Sequence, residues 1–213
     1  MTALLSRFLE ISLGIAIALL VSRFIWPLHS RTQLRWLIRG TLRDLQVLAK
    51  QLGQVPIQEL SKQYDPYEES IINDFARQKQ LTGEVNRETF GRVKITKRFQ
   101  SILRREREAL RYLNLMKNVW VHASDRARER LTQQTDLLAI YQRIDSLFNA
   151  MIAHLSDNAD PRSFSVVSMP LILEKSQVFT QNSDDQFYVD LFRFAANHLL
   201  THLEKLYLLI NKI

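Results

Sequence analysis

Two residues of opposite charge lie inside the most apolar stretch of the chain, near its amino terminus. Arg7 and Glu10 are three residues apart at the start of RFLEISLGIAIALLVSRFIWPLHSR, the sequence of residues 7–31. At that spacing the two side chains can pair on one turn of a helix. Ionisable residues in an apolar helix mark either a path for an anionic substrate or for protons, or an ion pair that reaches toward lipid headgroups. The sequence leaves both interpretations open.

The apolar stretch around this pair has the length of a membrane span. Residues 8–28 form a run of 21 residues, which as an α-helix is about 31 Å long, against a hydrocarbon core of roughly 30 Å. Twelve of these residues are Leu, Ile, Val or Phe, enough to outweigh the insertion cost of Glu10 and Arg23. A cleaved signal peptide would need a basic leader and small residues before the cleavage site. A buried helix of a soluble domain is the remaining alternative.

The charges that flank this stretch predict its orientation. Only Arg7 and the terminal amine precede the apolar run, whereas Arg23, Arg31 and Arg35 accompany or follow its end. The positive-inside rule therefore places residues 1–28 as a transmembrane helix with the amino terminus outside, and residues 29–213 in the cytoplasm. Those three arginines are the predicted headgroup contacts, and the lipid bilayer is the first predicted partner.

A stripe of small residues predicts that the span packs against other helices. Gly14, Ala18 and Ser22 continue from Glu10 at intervals of four, so all four fall on one face of a helix. Small residues let membrane helices approach closely, because packing drives their association. The predicted partners are membrane helices of a second copy or of a polytopic subunit, and the stripe would turn Glu10 toward them.

The rest of the chain predicts an all-α fold, namely a cytoplasmic antiparallel helical bundle behind the membrane helix. Apolar residues recur at intervals of three and four through residues 34–52 and 90–155. Pro27 predicts a kink or break at the membrane interface. Asp65 and Pro66 predict a helix start, and Gly83 its end.

Two boundaries in the second half of the chain are less sharply specified. Residues 88–155 fit either one long helix or two helices joined by a turn at residues 123–125, with Ser124 or Asp125 as the cap. Residues 157–186 break the helical pattern and predict an irregular loop. A last helix is expected from Phe187 to about Asn211.

Other chemistry finds little support in the sequence. The basic segment 87–111 alternates Arg with Glu and lacks interleaved aromatic residues, so no nucleic acid is expected as a partner. His198 and His202 are four apart, but no glutamate follows His198 as the metalloprotease pattern requires. With no cysteine nucleophile and no glycine-rich phosphate loop, we expect no enzyme activity, no metal and no cofactor.

The amino-terminal residues resemble a known family. Arg7, Glu10, Gly14, the run Ala18–Ser22, Pro27 and Arg31 are similar to the region around the last membrane helix of the fusaric-acid-resistance and aromatic-acid exporter family. The resemblance covers about 45 residues. It implies a bacterial inner-membrane protein with a cytoplasmic helical domain, and a small aromatic or organic acid as the exported compound. The several spans that precede this helix in the family do not occur in this sequence.

Two functions are therefore predicted. The first is an inner-membrane component of a small-organic-acid efflux system that needs other membrane subunits, with Arg7 and Glu10 on the substrate or proton path. The second is a non-catalytic membrane-anchored scaffold subunit of a larger envelope complex, in which Glu10 is dispensable. An adaptor that applies residues 87–111 to anionic lipid is a third class. The sequence alone does not decide whether the chain is a half, a fragment or a recruited relative of an exporter.

Overall fold

The computed structural model describes residues 2–52, 55–88, 93–156 and 184–212. Within helices it leaves undescribed the side chains of residues 2–6, 22–29, 31, 87–88 and 93. The described ranges form six helices and no strand: α1 Thr2–Gln51, α2 Ile57–Glu88, α3 Val93–His122, α4 Asp125–Gln133, α5 Thr135–His154 and α6 Asp184–Ile210. The predicted all-α class and helical bundle are confirmed.

Five long helices close a ring. The carboxyl-terminal half of α1 packs on α2, α2 on α3, α3 on α6, α6 on α5, and α5 again on α1, while the short α4 packs on α6. Each helix buries one apolar stripe in a shared core. In α1 the residues of this stripe recur at intervals of three and four positions, and each is at most 2% exposed: Leu34, Ile38, Leu42, Leu45, Leu48 and Leu52.

Successive helices around this ring are antiparallel, with one exception. Arg193 of α6 pairs with Asp136 of α5 at 2.9 Å, and Glu204 pairs with Arg143 at 3.8 Å, so residue numbers rise together along the two helices. α5 and α6 are therefore parallel, and the prediction of a wholly antiparallel bundle is wrong for this pair. Residues 157–183, which join the two helices, lie outside the described residues.

The predicted break at Pro27 is absent, because α1 is helical from Thr2 to Gln51. The alternative, a kink at Pro27, stays a prediction. The predicted helix start at Pro66 is also wrong. α2 begins at Ile57 and continues through Pro66 and Gly83 to Glu88. The aspartate interpreted as its cap instead ties two helices together, since Asp65 accepts a hydrogen bond from Lys117 Nζ at 2.7 Å.

Residues 93–154 form three helices rather than one or two. The predicted cap is confirmed at Ser124, whose Oγ accepts a hydrogen bond from the Ala127 amide at 3.1 Å. A second interruption falls at Gln134, whose backbone is extended with φ −79° and ψ 112°. The predicted loop 157–186 extends three residues too far, because α6 already begins at Asp184, where acidic side chains favour a helix amino terminus.

The helix directions define two ends of the bundle. At the proximal end the apolar residues of α1 join the bundle near Ser30, beside the carboxyl end of α2, the amino end of α3 and the carboxyl end of α6. The distal end holds the connections α1–α2, α3–α4 and α4–α5 together with the start of α6. Two hydrogen bonds fix this alignment: Gln78 to Thr41 at 2.9 Å and Arg98 to the Lys212 carbonyl at 2.7 Å.

Candidate functional site

The amino-terminal part of α1 carries apolar side chains that the bundle does not cover. Every residue from Arg7 to Val21 is exposed. Nine of them are large and apolar, with exposures from 50% at Val21 to 72% at Phe8; the others are Leu9, Ile11, Leu13, Ile15, Ile17, Leu19 and Leu20. They lie on all sides of the helix, so this segment, called here the apolar segment, has no single face to bury against a neighbour.

Across the described part of the chain, no helix offers a stretch both long enough and apolar enough to cross a membrane. The predicted span of residues 8–28 extends into residues 22–29, whose side chains lie outside the described ones.

The predicted site residues divide between described and undescribed side chains. Arg7, Glu10 and Ala18 are exposed on α1, and a Cβ added to Gly14 would meet no atom within 4 Å. Arg35 is half-buried and its Nε has no hydrogen-bond partner among the described residues. The side chains of Ser22, Arg23, Pro27 and Arg31 lie outside the described residues, so their predicted contacts stay predictions.

A buried polar cluster lies where α1, α2 and α3 meet. Gln78 Nε2 donates to Thr41 Oγ1 at 2.9 Å, and the Thr41 hydroxyl also lies 3.0 Å from the Leu37 carbonyl and 3.4 Å from Asp74 Oδ2. Glu106 of α3 completes the cluster with 0% exposure. Among the described residues, neither Glu106 carboxyl oxygen has a hydrogen-bond partner.

Burial decides the charge of Glu106. It raises the pKa of this carboxyl well above its usual value, with a further upward contribution from Asp74, while Gln78 and Arg107 act in the opposite direction. A desolvated carboxylate is far costlier than the neutral acid. Burial therefore favours the neutral acid over the carboxylate at Glu106. Local pattern could not identify this residue, because in RREREALR it is indistinguishable from an exposed glutamate.

A cavity of about 400 Å³ opens near the distal end, between α1, α3, α4, α5 and α6. Its wall is mostly apolar and includes Trp120, Phe148 and Phe192. Lys50 and Asp145 also line it and pair with each other at 3.0 Å. The cavity has the size of a small-molecule site. Because Asp145 already neutralises Lys50, the cavity does not favour the carboxylate of an organic acid at that lysine.

The two histidines considered as metal ligands make other contacts. His202 Nδ1 lies 2.9 Å from Arg105 Nη1, and since arginine can only donate, the imidazole nitrogen accepts. Burial, with Arg105 as the next cause, lowers the pKa of His202. His198 stacks on Tyr112 with ring centroids 5.3 Å apart. Within the described ranges no three His, Asp or Glu side chains gather as a metal site would require.

Comparison with known proteins adds no assignment. No protein-family model matches the chain, and neither the curated proteins nor the solved structures gave a match. The resemblance to the exporter family accordingly stays a prediction that depends on the amino-terminal residues alone.

Proposed function

We propose that this chain is a membrane-anchored scaffold, in which the first part of α1 inserts into the bilayer and the helical bundle behind it joins subunits of a larger envelope complex. The observation that carries the proposal is the apolar segment, nine large apolar side chains exposed on all sides of one helix. Isolated exposed apolar residues are ordinary, but a continuous surface of them marks an interaction with membrane or protein.

Lipid is the occupant that best fits this surface. A protein partner in water would cover one face of the helix, whereas lipid covers the whole circumference. The basic residues that follow the segment, including Arg35, Arg39 and Arg43, support a cytoplasmic position for the bundle at the inner membrane. Because α1 continues without interruption into the core, movement of the anchor would be transmitted directly to the bundle.

Extraction of membranes with alkaline carbonate tests the anchor. The full chain is expected to stay with the membrane, whereas the triple variant Ile11→Asp, Ile15→Asp and Leu19→Asp is expected to be released. A matched variant places three aspartates on exposed apolar positions of the bundle, 54–59% exposed, at Ile72, Leu138 and Leu208. Release of the unaltered chain, or equal release of both variants, would contradict the proposal.

A role in efflux is the second candidate, and Arg7 and Glu10 are the observation that favours it. Both lie on the apolar segment and one turn apart, where a charge is costly unless it faces a partner or a path. If the chain completes an organic-acid exporter, Glu10→Gln should abolish export of radiolabelled benzoate from whole cells without loss of membrane-bound protein. Unchanged export would remove Glu10 from the transport path and leave the scaffold.

A further inference from the structure

The amino-terminal end of α3 lies close to the level at which α1 would leave the bilayer. Gln78 of α2 bonds to Thr41 of α1, and Asn86 of α2 accepts a hydrogen bond from Thr96 of α3 at 3.1 Å. These two contacts are eight residues apart on α2, about 12 Å. The same distance along the antiparallel α1 leads from Thr41 back to residue 33. Thr96 is therefore level with residue 33, only five residues, about 8 Å, from the end of the predicted span at Leu28.

Three exposed lysines surround this level. Lys94 and Lys97 are exposed on the first turns of α3, and Lys212 is exposed at the end of α6. Arg98 donates a hydrogen bond to the Lys212 carbonyl at 2.7 Å and so holds Lys212 beside the start of α3. None of the four cations forms an ion pair with a carboxylate of the described residues.

Several cations toward the distal end of the bundle form ion pairs. Toward the distal end Lys117 pairs with Asp65 at 2.7 Å, Arg128 with Asp125 at 3.1 Å, and Arg193 with Asp136 at 2.9 Å. On α3 the single acidic residue between positions 94 and 107 is Glu106, which is fully buried in the core rather than on this surface. The proximal end thus carries four cations without a carboxylate partner among the described residues, whereas these three distal cations are paired.

We propose that this proximal basic surface, Lys94, Lys97, Arg98 and Lys212, binds the phosphate headgroups of anionic lipids and sets the bundle against the membrane. The inference rests on the proposed membrane anchor and names the second partner of the same membrane contact. Basic side chains within about a Debye length, 8–10 Å at physiological salt, respond to the negative surface potential of an anionic bilayer. Surface and anchor lie on different helices, so the sequence does not place them together.

The absence of cysteine from the chain allows a site-specific test. A fluorophore on Ser101→Cys, an exposed position on α3 next to the basic surface, reports its distance from a headgroup-attached quencher. The full chain is reconstituted in phosphatidylcholine vesicles and in vesicles of equal parts phosphatidylcholine and phosphatidylglycerol. Quenching is expected to be stronger in the anionic vesicles and to lose that excess in high salt. A label on Gln133→Cys, exposed at the distal end, should show no difference.

Charge variants identify the residues responsible. Lys94→Gln, Lys97→Gln and Lys212→Gln together should remove the excess quenching, and the ratio of docked to undocked bundle should fall roughly fivefold for each cation, since one Lys or Arg near an anionic surface contributes about 1 kcal/mol. The matched variant Lys62→Gln, Arg126→Gln and Arg130→Gln removes three exposed cations far from the proximal end and should leave quenching unchanged.

The outcomes separate the inference from the anchor. A chain that inserts equally into both vesicles, with quenching insensitive to lipid charge or to the proximal variant, would overturn the basic surface and leave the anchor standing. A chain that enters neither vesicle would overturn both proposals. Tighter binding of the detergent-solubilised chain to a duplex oligonucleotide than to anionic micelles, lost in the proximal variant, would assign the surface to nucleic acid instead.

Discussion

The two halves of α1 place similar apolar side chains in opposite environments. In residues 8–21 nine large apolar side chains are at least 50% exposed, whereas the six stripe residues of positions 34–52 are at most 2% exposed. The difference follows from spacing. In the second half apolar residues recur at three and four and leave a polar face, so the helix can join a bundle in water. In the first half they surround the axis, so one neighbouring helix cannot cover them. A single uninterrupted helix thus combines an uncovered apolar surface, which we propose for lipid, with a surface that packs in the bundle.

The largest expected effect comes from truncating one leucine in each half. Leu45→Ala in the buried half should lower the free energy of unfolding by about 3 kcal/mol, because it deletes fully buried methyl groups and leaves a cavity. Leu19→Ala, 65% exposed, should leave bundle stability unchanged. Urea unfolding of the full chain in detergent micelles, followed by circular dichroism, measures both. Equal destabilisation would mean that the apolar segment packs on the bundle.

The polar cluster against the buried half of α1 predicts a pH dependence. Glu106 has a raised pKa in the folded chain, so between its usual value near 4.5 and that raised value only the unfolded chain releases the proton. Stability must therefore fall as pH rises through this interval. Glu106→Gln should match the unaltered protein at pH 4 and exceed it in stability at pH 8, because the glutamine has no proton to release.

Thermal unfolding across that pH range measures the difference between the two proteins. Burial also raises the pKa of Asp44 and Asp74, but these groups are present in both proteins, so most of their contribution cancels. Glu69→Gln, at an exposed position on α2, is the matched control and should show no such gain. A pH profile that Glu106→Gln leaves unchanged would place the carboxyl in contact with water or a donor.

Two buried tyrosine hydroxyls should respond differently to removal. Tyr64 donates to Asn114 Oδ1 at 2.8 Å, so Tyr64→Phe should cost about 1 kcal/mol. Tyr141 lines the cavity beside the last turns of α1, and its hydroxyl has no hydrogen-bond partner among the described residues. Tyr141→Phe should be neutral or stabilising, because it removes an uncompensated buried polar group. A loss equal to that of Tyr64→Phe, measured by denaturant unfolding, would indicate a bound partner in the cavity.

The smallest effect compares one glycine from each half of α1. Gly40→Ala should stabilise the bundle by about 0.5–1 kcal/mol through helix propensity, because the added Cβ would lie 4.0 Å from Asp74 Oδ2, an ordinary contact. Gly14→Ala should leave bundle unfolding unchanged, since Gly14 lies outside the core. A shift in the urea midpoint for Gly14→Ala as large as that for Gly40→Ala would show that the two halves unfold together.

Several features of the fold were predictable from local pattern. The apolar stripe of residues 34–52, the Ser124 cap and the last helix each depend on the spacing of a few neighbouring residues, and all are found. The boundaries of α2 were not predictable in this way. Asp65 and Glu68 have the types and spacing of a capping box, but the fold uses them to bind α3: Asp65 bonds to Lys117 at 2.7 Å, and Glu68 accepts from Asn114 Nδ2 at 2.6 Å. Hydrogen bonds to another helix took precedence over local capping.

The sequence by itself determined that this protein is helical, that residues 34–52 have a face to bury and that residues 8–21 have none, because these properties depend on side-chain type and helical period alone. Only the tertiary structure decided that α5 and α6 run parallel, that Glu106 is enclosed while Arg104 and Arg107 are exposed, and that the basic start of α3 lies beside the point where α1 joins the bundle. These facts concern residues far apart in the chain. Burial and electrostatics act through space, and local pattern does not record which distant residues will meet.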